Sequence, residues 1–187
     1  MYSTAEFKKG LKIELDGVPY AIADFQHVKP GKGGAFVRTK LKSLLTGRVL
    51  DQTFRSGEKV KRPDLVERDM QYLYREGDDN FCMMDNQTYE QIMLTAEQVG
   101  DALLYLTENM NVSILFFNQQ PVAVEVPLFV ELEVVQTEPG VKGDTAAGGT
   151  KPATLESGLT VQVPLFISEG ERIKVDTRTG AYIERVK

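Results

Sequence analysis

The sequence predicts an all-β protein made of small barrels. Short segments rich in apolar and β-branched residues recur along the chain, turn-forming Gly, Asn and Asp separate them, and only one segment has helical spacing. With 187 residues, 42% of them hydrophobic and 26% charged, the chain is long enough for one ordinary domain or two to three small ones. Many short strands with a single helix favour small barrels over an α/β sheet.

The distribution of charge divides the chain. Residues 1–62 carry 13 Lys and Arg against 6 Asp and Glu, a net charge of +7, whereas residues 63–127 carry 2 against 12, a net charge of −10. Residues 128–187 carry 7 against 9, a net charge of −2. The change of sign near Pro63 indicates a boundary between modules, and the division suggests three barrels. The basic third is where an RNA phosphate backbone would bind, although solvated lysine-rich strands explain the same charge.

The predicted strands follow one another mostly as hairpins. Segments 11–15 and 18–26 flank Asp16-Gly17, a dipeptide favoured in tight hairpin turns, and segment 35–45 continues as a strand. Three further hairpins are predicted from 70–74 with 80–84, from 111–117 with 122–126, and from 172–176 with 181–186.

One helix and one long loop complete the predicted elements. Thr95 can cap a helix over residues 96–106, with Gln98 in the capping-box position, although Gly100 weakens the helical pattern. Segment 138–152 is rich in Gly and small polar residues. We therefore expect an exposed loop there, either a functional one or a disordered tether.

Composition argues against several classes of protein. The single cysteine, Cys82, cannot form an internal disulfide, and the single histidine, His27, leaves no zinc cluster, so no metal is expected. We expect Cys82 to be buried as a small hydrophobic residue and His27 to support the end of a strand. No apolar run approaches the roughly 20 residues that cross a bilayer, so we expect a cytoplasmic protein without membrane contact. The few catalytic residue types favour a binding protein over an enzyme.

The segment Lys-Pro-Gly-Lys-Gly-Gly-Ala at residues 29–35 predicts a thin, exposed finger with Lys32 at its tip. Its glycines permit a sharp turn with positive φ, and its proline stiffens the entry. Their spacing matches neither a Walker phosphate loop nor the GxGxxG motif. A finger of this shape can enter a crevice in RNA, whereas the alternative is an ordinary surface lysine. The residues predicted to shape the finger are Pro30, Gly31, Gly33 and Gly34.

Three cations recur at every second position after the finger. Arg38, Lys40 and Lys42 therefore point to one face of the predicted strand 35–45. Together with Lys29 they are candidate contacts to an RNA backbone. Such contacts position a protein without reading the base sequence.

Further motifs occur in order along the chain. They are Lys29-Pro30-Gly31-Lys32-Gly33-Gly34-Ala35, Leu44-Leu45-Thr46-Gly47, Tyr72-Leu73-Tyr74, Gly140-Val141-Lys142-Gly143-Asp144-Thr145, Lys151-Pro152-Ala153-Thr154-Leu155 and the ending Val175-Asp176-Thr177-Arg178-Thr179-Gly180-x-Tyr182-x-x-Arg185-Val186. Together they resemble the bacterial elongation factor P family over essentially the whole chain. The Gly-Asp-Thr triplet separates the chain from the elongation-factor-P-like paralogues, and the lysine at the finger tip places the resemblance in the lysine-tipped branch.

The resemblance implies a fold and a role. The fold is an N-terminal KOW-like (SH3-like) barrel over 1–63, followed by two OB-type barrels over 64–127 and 128–187, in an L-shaped arrangement similar to a tRNA. The implied protein is a translation elongation factor and not an enzyme. It binds the ribosome between the peptidyl-tRNA and exit sites and relieves stalling at consecutive prolines. We expect it to act as a monomer and to need no cofactor.

The resemblance also implies roles for particular residues. Lys32 reaches toward the CCA end of the peptidyl-tRNA, near the peptidyl transferase centre, and is often extended by a covalent modification that a host enzyme supplies. Gly143, Asp144 and Thr145 face the mRNA codon of the exit site, although a flexible connector is the alternative. Tyr182 and Arg185 match a C-terminal motif that can stack on exposed bases. The alternative for Tyr182 is inward packing in a final strand.

Two other functional classes remain open at the level of sequence. A general OB-fold protein that binds single strands away from the ribosome is expected to interleave aromatic with basic residues, and that pattern is weak here. An enzyme that uses an activated Lys32 needs a desolvated pocket or a nearby base, whereas the sequence places Lys32 among glycines in an exposed loop. Only the translation factor explains all the motifs together.

Overall fold

The regular secondary structure is almost entirely β in a computed structural model that describes residues 1–140 and 149–187. Within those residues it forms sixteen strands, one short α-helix and two 3₁₀ helices. The strands form four sheets of two, four, five and five strands, so the predicted all-β class is confirmed. The helices of the described residues are too short to span a bilayer.

The N-terminal module contains six strands and a 3₁₀ helix, Thr4–Glu6. Its strands are β1 (Tyr2–Ser3), β2 (Lys12–Leu15), β3 (Val18–Val28), β4 (Phe36–Ser43), β5 (Val49–Arg55) and β6 (Lys59–Val60). A four-stranded sheet has the order β2-β3-β4-β5, and β1 pairs with β6. Asp16 and Gly17 have φ of 51° and 77°, as the two central residues of a type I′ hairpin turn require, so the first predicted hairpin is confirmed.

Alternating burial places the core of this module on one side of its sheet. Along β4, Val37, Thr39 and Leu41 are buried, whereas Arg38 and Lys40 between them are exposed. This is the period of two that a half-buried strand shows. The buried hydrophobic residues of this core are Phe7, Ile13, Ile22, Val37, Leu41, Phe54 and Val60.

The central module forms a five-stranded sheet and the helical segment. Its elements are β7 (Leu65–Glu76), β8 (Asn80–Asp85), β9 (Gln91–Leu94), α1 (Ala96–Val99), a 3₁₀ helix over Gly100–Leu104, β10 (Asn111–Phe117) and β11 (Gln120–Glu125). The strand order is β11-β10-β7-β8-β9. Thr95 and Gln98 form the predicted capping box.

The predicted helix over residues 96–106 is wrong in length and type. α1 ends at Val99, where Gly100 follows with φ 63° and ψ −139°, and the chain continues as a 3₁₀ helix. A residue in that conformation cannot extend an α-helical ladder, and glycine adopts it without a steric penalty.

The third predicted hairpin has a tighter turn than the sequence suggested. Asn118 and Gln119 have φ of 49° and 66°, so they form a two-residue turn, and β11 begins at Gln120 rather than at residue 122. Pro121 therefore lies inside a strand. Because β11 is an edge strand, the missing N–H of the proline need not interrupt the sheet.

The C-terminal module is a second five-stranded sheet. Its strands are β12 (Phe129–Thr137), β13 (Thr150–Leu155), β14 (Thr160–Pro164), β15 (Arg172–Asp176) and β16 (Ala181–Arg185) in the order β14-β13-β12-β15-β16. The loop predicted over 138–152 is too long at its C-terminal end, because β13 starts at Thr150. Lys151, Ala153 and Leu155 alternate to the buried side of that strand, which the composition of the segment concealed.

Residues of two predicted modules share one core. The chain forms two compact units, residues 1–67 with 115–123, and residues 68–114 with 124–187. In the second unit Tyr105, which follows the 3₁₀ helix after α1, is 7% exposed and packs in the core of the C-terminal module with Val130, Leu132 and Ile173. Ser157 also donates a hydrogen bond to the Leu104 carbonyl. Tyr105 therefore ties the helical segment to the C-terminal barrel.

Candidate functional site

The finger (residues 29–35) is anchored by the two longest strands of the N-terminal sheet. The pairing of β3 with β4 continues to Val28 opposite Phe36. Beyond that pair, the Ser56 amide donates a hydrogen bond of 3.0 Å to the Ala35 carbonyl, so the sheet holds the finger at its last residue as well. The finger thus projects from a paired base.

The tip of the finger is exposed and requires glycine at one position only. Every residue from Lys29 to Gly34 is exposed, and the chain bends over residues 31–33. Gly33 has φ of 96°, a conformation that L side chains rarely adopt, whereas Gly31 and Gly34 do not have positive φ in that range. A Cβ built on any of the three meets no atom within 4 Å. The fold itself therefore gives no reason for glycine at positions 31 and 34.

His27 lies at the base of the finger, as the sequence predicted. It pairs with Val37 near the end of β3 and makes an edge-to-face contact with Phe25 at a ring-centroid distance of 5.7 Å. Its side chain is exposed. Phe25 and His27 are two residues apart on the same strand, so the two rings contact each other on one face of β3 beside the finger.

The three alternating cations lie on the exposed face of β4. Arg38, Lys40 and Lys42 are all exposed, with Thr39 and Leu41 buried between them. The Arg38 guanidinium carbon lies 5.4 Å from the centre of the Phe36 ring, within cation–π range. The predicted basic face therefore exists and begins directly beside the finger.

The register adds acidic neighbours that the sequence did not reveal. Lys40 lies opposite Asp24 on β3 and opposite Asp51 on β5, whereas Arg38 lies opposite Gln26 and Thr53. Residues directly opposite in an antiparallel sheet share a face. The positive potential around Lys40 is therefore reduced, and Arg38 is the better placed cation for binding a phosphate.

The C-terminal candidates are held by intramolecular contacts. Tyr182 is half-buried and packs against the C-terminal core, as the alternative interpretation from sequence proposed. The Arg185 guanidinium lies 3.2 Å from a Glu171 carboxylate oxygen and 5.2 Å from the centre of the Phe166 ring. Both residues belong to β16 of the C-terminal module, whereas Lys32 belongs to the N-terminal module.

The candidates Gly143, Asp144 and Thr145 lie outside the described residues. The chain on both sides of them is firmly held. Lys151, only 7% exposed, donates from its ammonium to the Glu138 carbonyl, and a Cβ on Gly140 would lie 2.5 Å from the Leu165 carbonyl oxygen. Sequence reasoning missed the buried Lys151, although its alternation with Ala153 was a visible signal.

A second ion pair orders the turn before the last strand. Arg178 donates to both carboxylate oxygens of Asp176 through its side chain, at 3.2 and 2.8 Å, and its backbone amide donates to the same group at 2.8 Å. These hydrogen bonds hold the pKa of Asp176 below its ordinary value. The described residues contain no group of three or more His, Cys, Asp or Glu side chains that could hold a metal ion.

Three family models match successive parts of the chain. They describe the elongation factor P KOW-like domain over residues 3–60, the elongation factor P OB domain over residues 65–124 and the elongation factor P C-terminal domain over residues 130–185. Together they match far more than half of the chain.

Full-length relatives and a solved structure agree with these matches. Elongation factor P of Nitratidesulfovibrio vulgaris is 58% identical over 185 residues, which cover 99% of this chain and 100% of the relative. Elongation factor P of Natranaerobius thermophilus is 57% identical over 187 residues, with 100% and 99% coverage. A solved structure of eukaryotic translation initiation factor 5A from Methanococcus jannaschii is similar to this chain, with 28% sequence identity and a TM-score of 0.52. The superposition covers 64% of this chain and 88% of that structure. The chain belongs to the elongation factor P family of translation elongation factors.

Proposed function

We propose that this chain binds the ribosome beside the peptidyl-tRNA and accelerates peptide bond formation between consecutive prolines, with Lys32 bracing the CCA end of that tRNA. Membership of the family already supplies the role of a translation elongation factor and implies an interaction with the ribosome. The position of the finger and the task of its lysine are the parts that we propose.

One observation carries the proposal. Lys32 stands on a finger whose glycines at positions 31 and 34 are required neither by backbone conformation nor by packing within the chain. A missing side chain that the fold does not need is explained if a partner occupies the space around the finger. A narrow crevice in folded RNA is such a partner, because a side chain on either glycine would widen the finger.

The proposed contribution of Lys32 is positioning. Proline is a constrained secondary amine, so the slow step is the attainment of attack geometry and not a shortage of acid or base. A cation that holds the RNA end of the donor substrate raises the fraction of time spent in that geometry, and well-oriented reactants can gain several orders of magnitude in rate. No side chain of this chain has to react.

A covalent extension of Lys32 fits the same role. The lysine is fully accessible to a modifying enzyme, since all residues from Lys29 to Gly34 are exposed. An added group would lengthen the reach of the tip and supply further hydrogen-bond donors. Intact-mass measurement of the protein from its native host, with peptide mapping over residues 28–38, would identify such a group.

The remaining candidate contacts support the docking of the factor. Lys29, Arg38 and Lys42 extend the positive charge from the finger along β4, so we propose that they contact the RNA backbone near the tip. For Gly143, Asp144 and Thr145 we keep the proposal from the sequence, a contact with the exit-site mRNA. Replacing Asp144 and Thr145 with Ala should reduce rescue of stalled ribosomes without changing the melting temperature.

Cross-linking from the finger tip tests the proposed geometry. The native Cys82 is only 1% exposed, so a Lys32→Cys variant offers one reactive thiol for a short photoactivated cross-linker. In ribosomes with an occupied peptidyl site, we expect the cross-links from position 32 to map to the last nucleotides of the peptidyl-tRNA.

A matched control fixes the interpretation of the cross-links. Arg48 is exposed in the turn at the other end of β4, roughly 25 Å from the finger at about 3.3 Å per residue. A cross-linker on Arg48→Cys should not reach the CCA end, and the wild-type chain should give only background. Cross-links from position 32 to other RNA, with none to the tRNA end, would contradict the proposal.

A further inference from the structure

A second basic surface lies in the N-terminal module, on the side of β1 and β2. A cavity of about 310 Å³ is lined by Lys8, Lys12 and Arg62, with Leu11 and Pro63 in its wall. Its lining, all within the described residues, contains no Asp or Glu. Each of four other cavities in the described part of the chain has at least one acidic residue in its wall. This Arg62 cavity therefore concentrates positive charge in a chain whose net charge is −5.

The guanidinium of Arg62 is held in place by an aromatic ring. Its central carbon lies 4.6 Å from the centre of the Tyr2 ring. Tyr2 is half-buried, packs against the N-terminal core and pairs with Val60 through β1 and β6. The ring restricts the orientations of the guanidinium before it meets a ligand, so less conformational entropy is lost on binding. Its planar fork matches the oxygens of a phosphate group.

The two lysines are carried by backbone that the sheet fixes. The Leu11 amide donates to the Lys8 carbonyl at 3.1 Å, the Gly10 amide donates to the Ile22 carbonyl at 2.8 Å, and Lys12 pairs with Ala21 on β3. The cavity is thus built on ordered strands and turns. Three cations converge on it from two separate segments of the chain.

We propose that the Arg62 cavity is a second binding site for an RNA phosphate backbone, distinct from the contacts of the finger. The proposal rests on the proposed function, since it assumes that the chain docks on the ribosome, where phosphodiester groups are the predominant anions. Arg62 would contact a phosphate with two hydrogen bonds, and Lys8 and Lys12 would neutralise the adjoining ones.

The cavity and the finger are far enough apart to contact different stretches of RNA. The Ile22 carbonyl on β3 accepts a hydrogen bond from Gly10, which lines the cavity. Ile22 is six residues from Val28 at the base of the finger. At about 3.3 Å per residue this separation is roughly 20 Å, several nucleotides of backbone. Two sites at this spacing would fix the orientation of the N-terminal module, which a single tip contact cannot do.

Ribosome binding over a range of salt concentrations tests the proposal with the full chain. The double variant Lys8→Gln with Arg62→Gln removes two of the three cations without introducing repulsion. We expect the slope of log K against log salt to fall by about 1.4 to 1.8, because each lost phosphate contact contributes about 0.7 to 0.9. The affinity at low salt should fall about tenfold or more.

A control with the same change in charge separates the cavity from the overall charge. Arg48→Gln with Lys59→Gln removes two exposed cations of the same module that do not line the cavity. We expect its affinity to change by less than about threefold. Tyr2→Leu keeps every charge and removes the ring that orients Arg62, so it should weaken ribosome binding several-fold. Tyr2→Phe keeps the ring and serves as its control. The melting temperatures of Tyr2→Phe and of both double variants should stay near that of the wild type. Equal losses in the two double variants would overturn the proposal.

The same variants identify the source of the RNA and separate this proposal from the proposed function. A loss seen with isolated tRNA assigns the site to tRNA, and a loss seen only with large subunits assigns it to ribosomal RNA. A loss seen with purified ribosomal proteins and not with RNA would overturn the assignment to RNA. The Arg48→Gln, Lys59→Gln control should accelerate proline-run synthesis at the wild-type rate, because it changes neither the finger nor the cavity. If the wild-type chain itself gives no acceleration, it is the proposed function that fails.

Discussion

Tyr105 provides a quantitative test of how the second compact unit is held together. Its ring is 7% exposed within the C-terminal core, although the residue follows the helical segment of the central module. An aromatic side chain buries at least about 150 Å², which at about 25 cal/mol per Å² corresponds to about 4 kcal/mol. This figure is an upper estimate, and core Phe→Ala changes typically cost 3 to 5 kcal/mol. We therefore expect Tyr105→Ala to destabilise the C-terminal core by about 3 kcal/mol.

Native-state hydrogen exchange can measure this loss strand by strand. A loss of about 3 kcal/mol corresponds to a roughly 150-fold faster exchange of the protected amides of β12 and β15. The amides of β3 and β4 should keep their wild-type rates, because they belong to the other compact unit. Tyr105→Phe retains the ring and serves as the matched control. Its exchange should differ from wild type by about tenfold at most.

Two outcomes would exclude this role of Tyr105. If Tyr105→Ala changed the exchange of β12 by less than about fivefold, the ring would not be a supporting part of that core. If β4 lost protection equally, the effect would be global and the two compact units would not unfold separately.

Three further predictions follow from the site and from the ion pair of the C-terminal module. Gly34→Val should leave the free energy of unfolding within about 0.5 kcal/mol of wild type, because the position is open, yet slow proline-run synthesis in a reconstituted reaction. An unchanged rate of proline-run synthesis would show that a side chain at position 34 does not hinder the finger. Replacing Arg38 and Lys40 with Glu should weaken ribosome binding and lower its salt dependence in sedimentation assays. Arg38→Glu alone should account for the larger part of the loss in affinity. An unchanged slope of log K against log salt would show that neither residue contacts the RNA. Asp176 has a lowered pKa in the fold, so Asp176→Asn should destabilise the protein near pH 7. The difference in unfolding free energy between the variant and the wild type should disappear as the pH falls below the folded pKa. A difference that persists in acid would exclude the pairing with Arg178 as its cause.

The sequence predicted those features that depend on neighbours along the chain. The Asp16-Gly17 turn, the alternating exposure of β4 and the Thr95 capping box are local, and the structure confirms each of them. The helix that was predicted through Gly100 failed for a local reason as well. The amphipathic pattern continued past that glycine, but its left-handed backbone ends the α-helix.

Features that depend on register or on distant contacts were not predictable in this way. The sequence gives no sign that Asp24 and Asp51 lie opposite Lys40, because strand register is set by pairing across three strands. The entry of Tyr105 into a core formed by residues after 130 is equally non-local. The stacking of Arg62 on Tyr2 joins the two ends of the N-terminal module, 60 positions apart in the chain, so the Arg62 cavity became visible only in the fold.

The most direct test of the proposed role of Lys32 is the effect of Lys32→Ala on the synthesis of peptides with and without consecutive prolines. The side chain is exposed, so its removal should change stability by no more than about 0.5 kcal/mol and should leave most ribosome binding intact. In a reconstituted translation reaction at saturating factor, we expect consecutive prolines to be joined more slowly and peptides that lack them to form at an unchanged rate. A wild-type rate on proline runs, or an equal slowing of every peptide, would contradict this role.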